Sequence, residues 1–178
     1  MFHRVTLIGF RACGKSTVGR LLAARLAWPF ADADTVIEAR LGMSIPAFFK
    51  AHGEAAFRIA EAEALSAILS GEQPLVLATG GGAILREDNR ELLRQRGGLI
   101  GYLEAPVTVI QERLRHHSGG RPSLTGASVV DEVSGLLSQR APIYRDLAQV
   151  TISALLDPGE VAERLAAELA LRGSQRPS

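Results

Sequence analysis

The segment Gly9-Phe10-Arg11-Ala12-Cys13-Gly14-Lys15-Ser16 fits the pattern G-x-x-x-x-G-K-[ST]. Its chemistry is phosphate binding. Backbone N–H groups from Gly9 through Arg11, Ala12, Cys13 and Gly14 to Thr17 would cradle the anion at a helix N-terminus. Lys15 would reach the outer phosphates and the Ser16 hydroxyl would ligate Mg²⁺. The bland alternative is a glycine-rich turn before a helix. Lys15 and Lys50 are the only lysines among 20 basic residues, so the lysine kept in this loop marks a place that wants a compact charge rather than an arginine fork. Lys50 has no such setting and reads as a solvated helix charge.

A phosphate loop implies a nucleoside triphosphate without saying what is done with it. The guanine-reading N-K-x-D and the D-x-x-G turn of GTPase switches occur nowhere in the chain. Phosphoryl transfer to a small molecule is the stronger branch, and it needs a metal carboxylate, an acceptor site and a shield against water. In "FADAD" Asp32 and Asp34 alternate, so at a strand's end both would reach the crevice. Asp32 would hold the hydrated Mg²⁺ and Asp34 would meet the acceptor hydroxyl as base or orienting group. Read locally, the same residues equally describe a helix cap with Asp34 as N-cap. The strand-like "LVLATGGG" ends in Gly80, Gly81 and Gly82 where an acid is usual; glycines there let backbone approach a ligand closely and offer it N–H donors. A tight strand-to-helix turn is the other reading, and Gly82 fits that role alone.

Positioning these groups falls to five apolar, β-branched runs, "RVTLIGF", "PFADAD", "PLVLATG", "GLIGYLEA" and "AQVTISA", separated by segments of helical periodicity. Strands alternating with helices predict a parallel sheet covered on both faces, with ligands at the strands' carboxyl ends. Residues 35–70 carry only helical patterns and read as an acceptor-binding insertion; residues 116–128, rich in Gly, Ser and Pro, read as a mobile lid. One domain over 1–172 and a disordered tail over 173–178 complete the expected organisation.

The bulk properties exclude more than they assert. At 178 residues with 47% hydrophobic positions the chain suits a single core. A formal charge of +1 with interspersed signs gives no case for a nucleic-acid or membrane partner. The lone Cys13 forbids an internal disulfide, and the reducing cytosol is the default compartment, with a monomer as the default state. Four histidines show no metal spacing.

The phosphate loop, "DAD", "GEAAFRIAEAEAL", "LATGGG", "RPSLTG" and "RAPIY", in this order from Val5 to about Ser153, resemble the shikimate kinase family. The resemblance implies a three-layer P-loop fold of the nucleoside-monophosphate-kinase type. It also implies transfer of the γ-phosphate of ATP to the 3-hydroxyl of shikimate, on the route to chorismate and the aromatic amino acids. Carried over residue by residue, it gives Lys15 and Ser16 to the phosphates and Mg²⁺, Asp32 to the metal's water shell and Asp34 to the reacting hydroxyl. Arg58 and Arg140 fall to the substrate carboxylate, Arg121 to the transferring phosphate as a lid arginine, and Arg113 to stacking on adenine. Glu61 lies three residues after Arg58, close enough on a helix to hold its guanidinium; a surface ion pair is the alternative. Phe48, Phe49 and Phe57 would wall the acceptor pocket or pack as core, and Arg113 also fits a solvated helix face. Gluconate or a nucleoside monophosphate as acceptor, or a silent ATP-binding module, are the rival functions.

Two loop positions depart from the family's pattern. Glycine is usual where Ala12 stands, and proline is common where Phe10 stands. If position 12 needs φ > 0, alanine costs of order 1 kcal/mol. Cys13 at the loop and helix start is a candidate for a lowered thiol pKa.

Overall fold

The computed structural model describes residues 3–116 and 132–174. Five strands form where the apolar runs predict them: β1 Arg4–Ile8, β2 Phe30–Asp32, β3 Leu75–Ala78, β4 Leu99–Glu104 and β5 Val150–Ser153. All pairings are parallel, in the order β2-β3-β1-β4-β5. The chain therefore crosses from one side of β1 to the other, and the crevice at that switch lies above the loop that leaves β1.

Alternate residues of the central strands feed two cores, as a sheet covered on both faces requires. Val5, Leu7, Val76, Leu99 and Leu103 pack toward α1 (Lys15–Leu26) and α7 (Pro158–Ser174), with Val18, Leu22 and Leu165 opposite them. Ile8, Leu77, Ile100 and Tyr102 face the other way. They meet Leu65 and Leu69 of α3 (Ile45–Ser70), Leu93 of α4 (Glu87–Arg96), and Tyr144 and Leu147 of α6 (Glu132–Leu147). Each such buried aliphatic side chain contributes roughly 1.5–3 kcal/mol. Thr6, the polar residue of β1, is satisfied by donating its hydroxyl to the Gly97 carbonyl at 2.7 Å.

The helical insertion expected over 35–70 is α2 (Ala33–Leu41) followed by α3, with its own small core of Ile37, Ile45, Phe57 and Ala64. Ser44 caps α3, and α3 breaks its helical geometry at Gly53, whose φ of 78° and ψ of 176° suit glycine. Two boundaries differ from the sequence reading. Helix α2 starts at Ala33, because Asp32 caps it by accepting the Asp34 N–H at 3.1 Å, so Asp34 sits in a first helical turn, neither in the strand nor at the cap. Gly173 and Ser174 belong to α7, within the stretch expected to be tail, and residues 175–178 lie outside the described residues. His116 closes α5 (Val107–His116); the rest of the lid expected over 116–128, Arg121 included, lies outside the described residues.

Candidate active site

The loop after β1 is shaped by glycine where shape demands it. Gly9 has φ 147°, and a Cβ there would lie 2.8 Å from the Leu103 carbonyl oxygen; Gly14, which starts α1, has φ 102°. Ala12 adopts φ 61°, the left-handed geometry anticipated for that position. Lys15 is buried and its Nζ donates to the carbonyls of Gly9 at 2.9 Å and Phe10 at 2.8 Å, with Cys13 Sγ at 3.6 Å. The ammonium thus holds its own loop closed. Cys13 is itself buried.

Asp32 divides its two oxygens between structure and chemistry. Oδ1 caps α2, and Oδ2 accepts the Ser16 hydroxyl at 2.5 Å. In the sheet Asp32 stands opposite Ala78, so the acid absent from the end of β3 is supplied by the adjacent strand. Among the described residues no group of three His, Cys, Asp or Glu side chains could hold a metal ion.

Beyond β3 lies a cleft of about 560 Å³, counting its open mouth, floored by Gly80, Gly81 and Gly82. A Cβ at Gly80 would lie 2.7 Å from Glu61 Oε1 and 3.0 Å from Asp34 Oδ1; at Gly81 it would lie 3.0 Å from the Arg11 amide nitrogen. At Gly82 it would run into the Arg58 guanidinium, with Cζ at 2.5 Å. Gly82 is therefore more than a turn residue, contrary to the sequence reading: it is the seat of an arginine. Glycine at all three places brings Asp34, the phosphate loop and Arg58 onto one floor.

Arg58 is held from both sides. Its Nη1 donates to Glu61 Oε2 at 2.7 Å, while Nε and Nη2 donate to Glu54 Oε1 at 3.2 and 2.9 Å. Burial alone would lower the Arg58 pKa, but the charge and hydrogen bond of Glu61, with help from Glu54, outweigh it and leave the group above its ordinary value. Glu61 is 2% exposed. Burial pushes its carboxyl above the ordinary range despite the opposing charges of Arg58 and Arg140. This buried pair is not the surface ion pair that local sequence allows.

Arg140 reaches the same cleft from α6, where it is 8% exposed, and its Cζ stands 5.6 Å from the Phe10 ring centroid. Arg11, read from sequence as part of the nucleotide's phosphate loop, also lines this cleft. Phe49 and Phe57 wall it; Phe48 does not, packing instead against His52 with centroids 4.5 Å apart. On α5, Arg113 bridges two loops, Nη1 to the Ala12 carbonyl at 3.3 Å and Nη2 to the Ala154 carbonyl at 3.1 Å. It stands at the edge of the phosphate loop and not on a solvated face.

The family profile described as shikimate kinase matches residues 11–170. The chain belongs to the shikimate kinase family. It is 48% identical over 148 residues to the shikimate kinase of Nitratidesulfovibrio vulgaris, covering 82% of this chain and 83% of the relative. With shikimate kinase 2 of Escherichia fergusonii it shares 41% identity over 177 residues, 97% and 96% of the two chains. The shikimate kinase from Acinetobacter baumannii, solved in complex with shikimate, superposes with a TM-score of 0.88 at 37% identity, covering 97% of this chain and 95% of that one. The family's P-loop fold, read from the strand count and the motifs, is the fold observed.

Three site features escaped sequence reasoning within this family frame. Glu54 as a second partner of Arg58 had a signal, its i,i+4 spacing. Tyr144 donating its hydroxyl to the Gly81 carbonyl at 2.5 Å, and Arg140 over the Phe10 ring, had none, because both join segments remote in sequence.

Proposed function

We propose that this enzyme moves the γ-phosphate of ATP to the 3-hydroxyl of shikimate in one direct step, giving shikimate 3-phosphate and ADP, with its residues in the roles that follow. Arg58 and Arg140 bind the shikimate carboxylate, since arginine forks give charge-assisted bonds that a carboxylate needs in a pocket closed to water. Asp34 orients the reacting hydroxyl and takes its proton. The floor of Gly80, Gly81 and Gly82 brings the ring against the phosphate loop. Lys15 trades its bonds to the Gly9 and Phe10 carbonyls for the phosphates, which the loop's N–H groups and the start of α1 also bind. Arg113 stacks on adenine through its face while its edges hold Ala12 and Ala154. Arg121 closes over the transferring phosphoryl group and expels water.

The donors suit Mg²⁺. Ser16 Oγ and Asp32 Oδ2 are hard oxygens 2.5 Å apart, and as the described residues hold no cluster of three potential ligands among His, Cys, Asp and Glu, the nucleotide's phosphates and water would complete the shell. When bound, the ion neutralises charge on the phosphates. Asp32, oriented by its cap to α2, holds the ion's water shell, and Ser16 binds directly. A monomer in the reducing cytosol completes the proposal, the compartment being the default for a chain whose one cysteine can form no internal disulfide.

The convergence of Arg58, Arg140 and Asp34 on one cleft backed by the phosphate loop carries this reading. ADP release measured across shikimate, gluconate and nucleoside monophosphates tests it. Turnover with shikimate alone is expected, and equal turnover with gluconate would defeat the assignment.

A further inference from the structure

We propose that Phe10 is a positioning residue for the acceptor: its ring holds the guanidinium groups of Arg140 and Arg11 against the wall of the cleft. This rests on the assignment of Arg140 to the shikimate carboxylate. The ring is 1% exposed, and its centroid lies 5.6 Å from Arg140 Cζ and 5.8 Å from Arg11 Cζ. Both distances fall within the range in which an aromatic face attracts a cation.

Two guanidinium groups in one partly dehydrated wall repel each other, and burial penalises both. A carboxylate would relieve this at the cost of competing with the substrate's own carboxylate for the same N–H donors. An aromatic face attracts the cation through its quadrupole and occupies no donor. Arg58 also faces a ring, its Cζ 5.4 Å from the Phe57 centroid, but there Glu61 and Glu54 occupy part of its donors, whereas among the described residues no carboxylate is hydrogen-bonded to Arg140. Among the described residues each arginine lining the cleft thus faces a phenylalanine, and two of them share Phe10.

Phe10 has a second tie through its backbone. Its carbonyl accepts from Lys15 Nζ at 2.8 Å and from the Cys13 N–H at 3.4 Å. The residue that supports the acceptor's cations with its ring therefore closes the phosphate loop with its carbonyl. Proline, common at this place in the resemblance described above, has no aromatic face and could not supply this contact.

The test compares Phe10→Leu, Phe10→Met and Phe10→Tyr with Arg140→Lys in the full chain, by KM for each substrate. It adds the ratio of kcat/KM for shikimate to that for its neutral carboxamide analogue, which does not depend on how much enzyme is folded. The two non-aromatic variants should raise KM for shikimate about five-fold and lower the ratio by a similar factor, while KM for ATP stays within about two-fold and Phe10→Tyr resembles the parent. An unchanged ratio in Phe10→Leu and Phe10→Met overturns the proposal, as does an equal rise in both KM values. If Arg140→Lys leaves KM for shikimate unchanged, the carboxylate assignment falls and Phe10 with it. If Arg140→Lys raises it while the Phe10 variants do not, only the role of Phe10 falls.

Discussion

Arg58 meets two carboxylates of unequal character: Glu61 is 3% exposed at its side chain and Glu54 is 50% exposed. Glu61 sets the guanidinium's place, because its burial leaves it no other partner of comparable strength, whereas water can replace Glu54. Since burial holds the Glu61 pKa above the ordinary 4.5, kcat/KM for shikimate should fall on acidification with a limb above that value. The limb should vanish in Glu61→Gln, whose KM for shikimate is raised at neutral pH. The folded state holds this proton more tightly than the unfolded chain, so at this group acidification through the folded pKa adds stability. The acid limb is therefore loss of arginine placement, and circular dichroism over the same pH range should show the fold intact. Asp34→Asn should lower kcat about 10²–10⁴-fold, the usual worth of a positioned base, with an unchanged melting temperature. Near-normal turnover would remove Asp34 from the chemistry.

The turn from β3 into the short 3-10 helix Ala83–Leu85 shows how an element carries function through clearance. A methyl at Gly82 meets the mobile end of the Arg58 side chain, but at Gly81 it meets phosphate-loop backbone, which cannot swing away. Gly82→Ala should raise KM for shikimate about ten-fold or more with KM for ATP unaffected, whereas Gly81→Ala should raise both. If steady-state kinetics showed the two variants alike, the floor would not discriminate as described. β1, β3 and β4 were legible from sequence because near-continuous apolar runs mark strands buried on both faces, whereas the edge strands β2 and β5, only partly buried, were legible from their β-branched or aromatic residues and their place in the alternation with helices. The placement of Asp34 was not, since the short β2 yields at once to a helix whose start is decided by Asp32 bonding the Asp34 N–H. The partner of Gly82 was equally hidden, because Arg58 comes from a different helix and no periodicity encodes that meeting.

For the molecule as a whole, substrate binding should register as stability. Shikimate at about a hundred times its Kd adds roughly 2.7 kcal/mol to a protein that binds it only when folded, which for a chain of this size is on the order of 5–10 °C in Tm. Thermal denaturation should show that rise in the parent and lose most of it in Arg58→Ala. A full shift in the variant would place the carboxylate elsewhere. The strand order has a further consequence. Asp32 and the glycine floor follow β2 and β3, on one flank of β1; the Arg113 bridge to Ala154 follows β4 and β5, on the other. In the roles proposed above, the glycine floor and the adenine contact thus stand over opposite halves of the sheet, while Arg140, from the helix before β5, reaches the acceptor cleft from the other half. The halves meet at Phe10 and Gly81, so a substitution that spares both should change the acceptor while leaving KM for ATP in place.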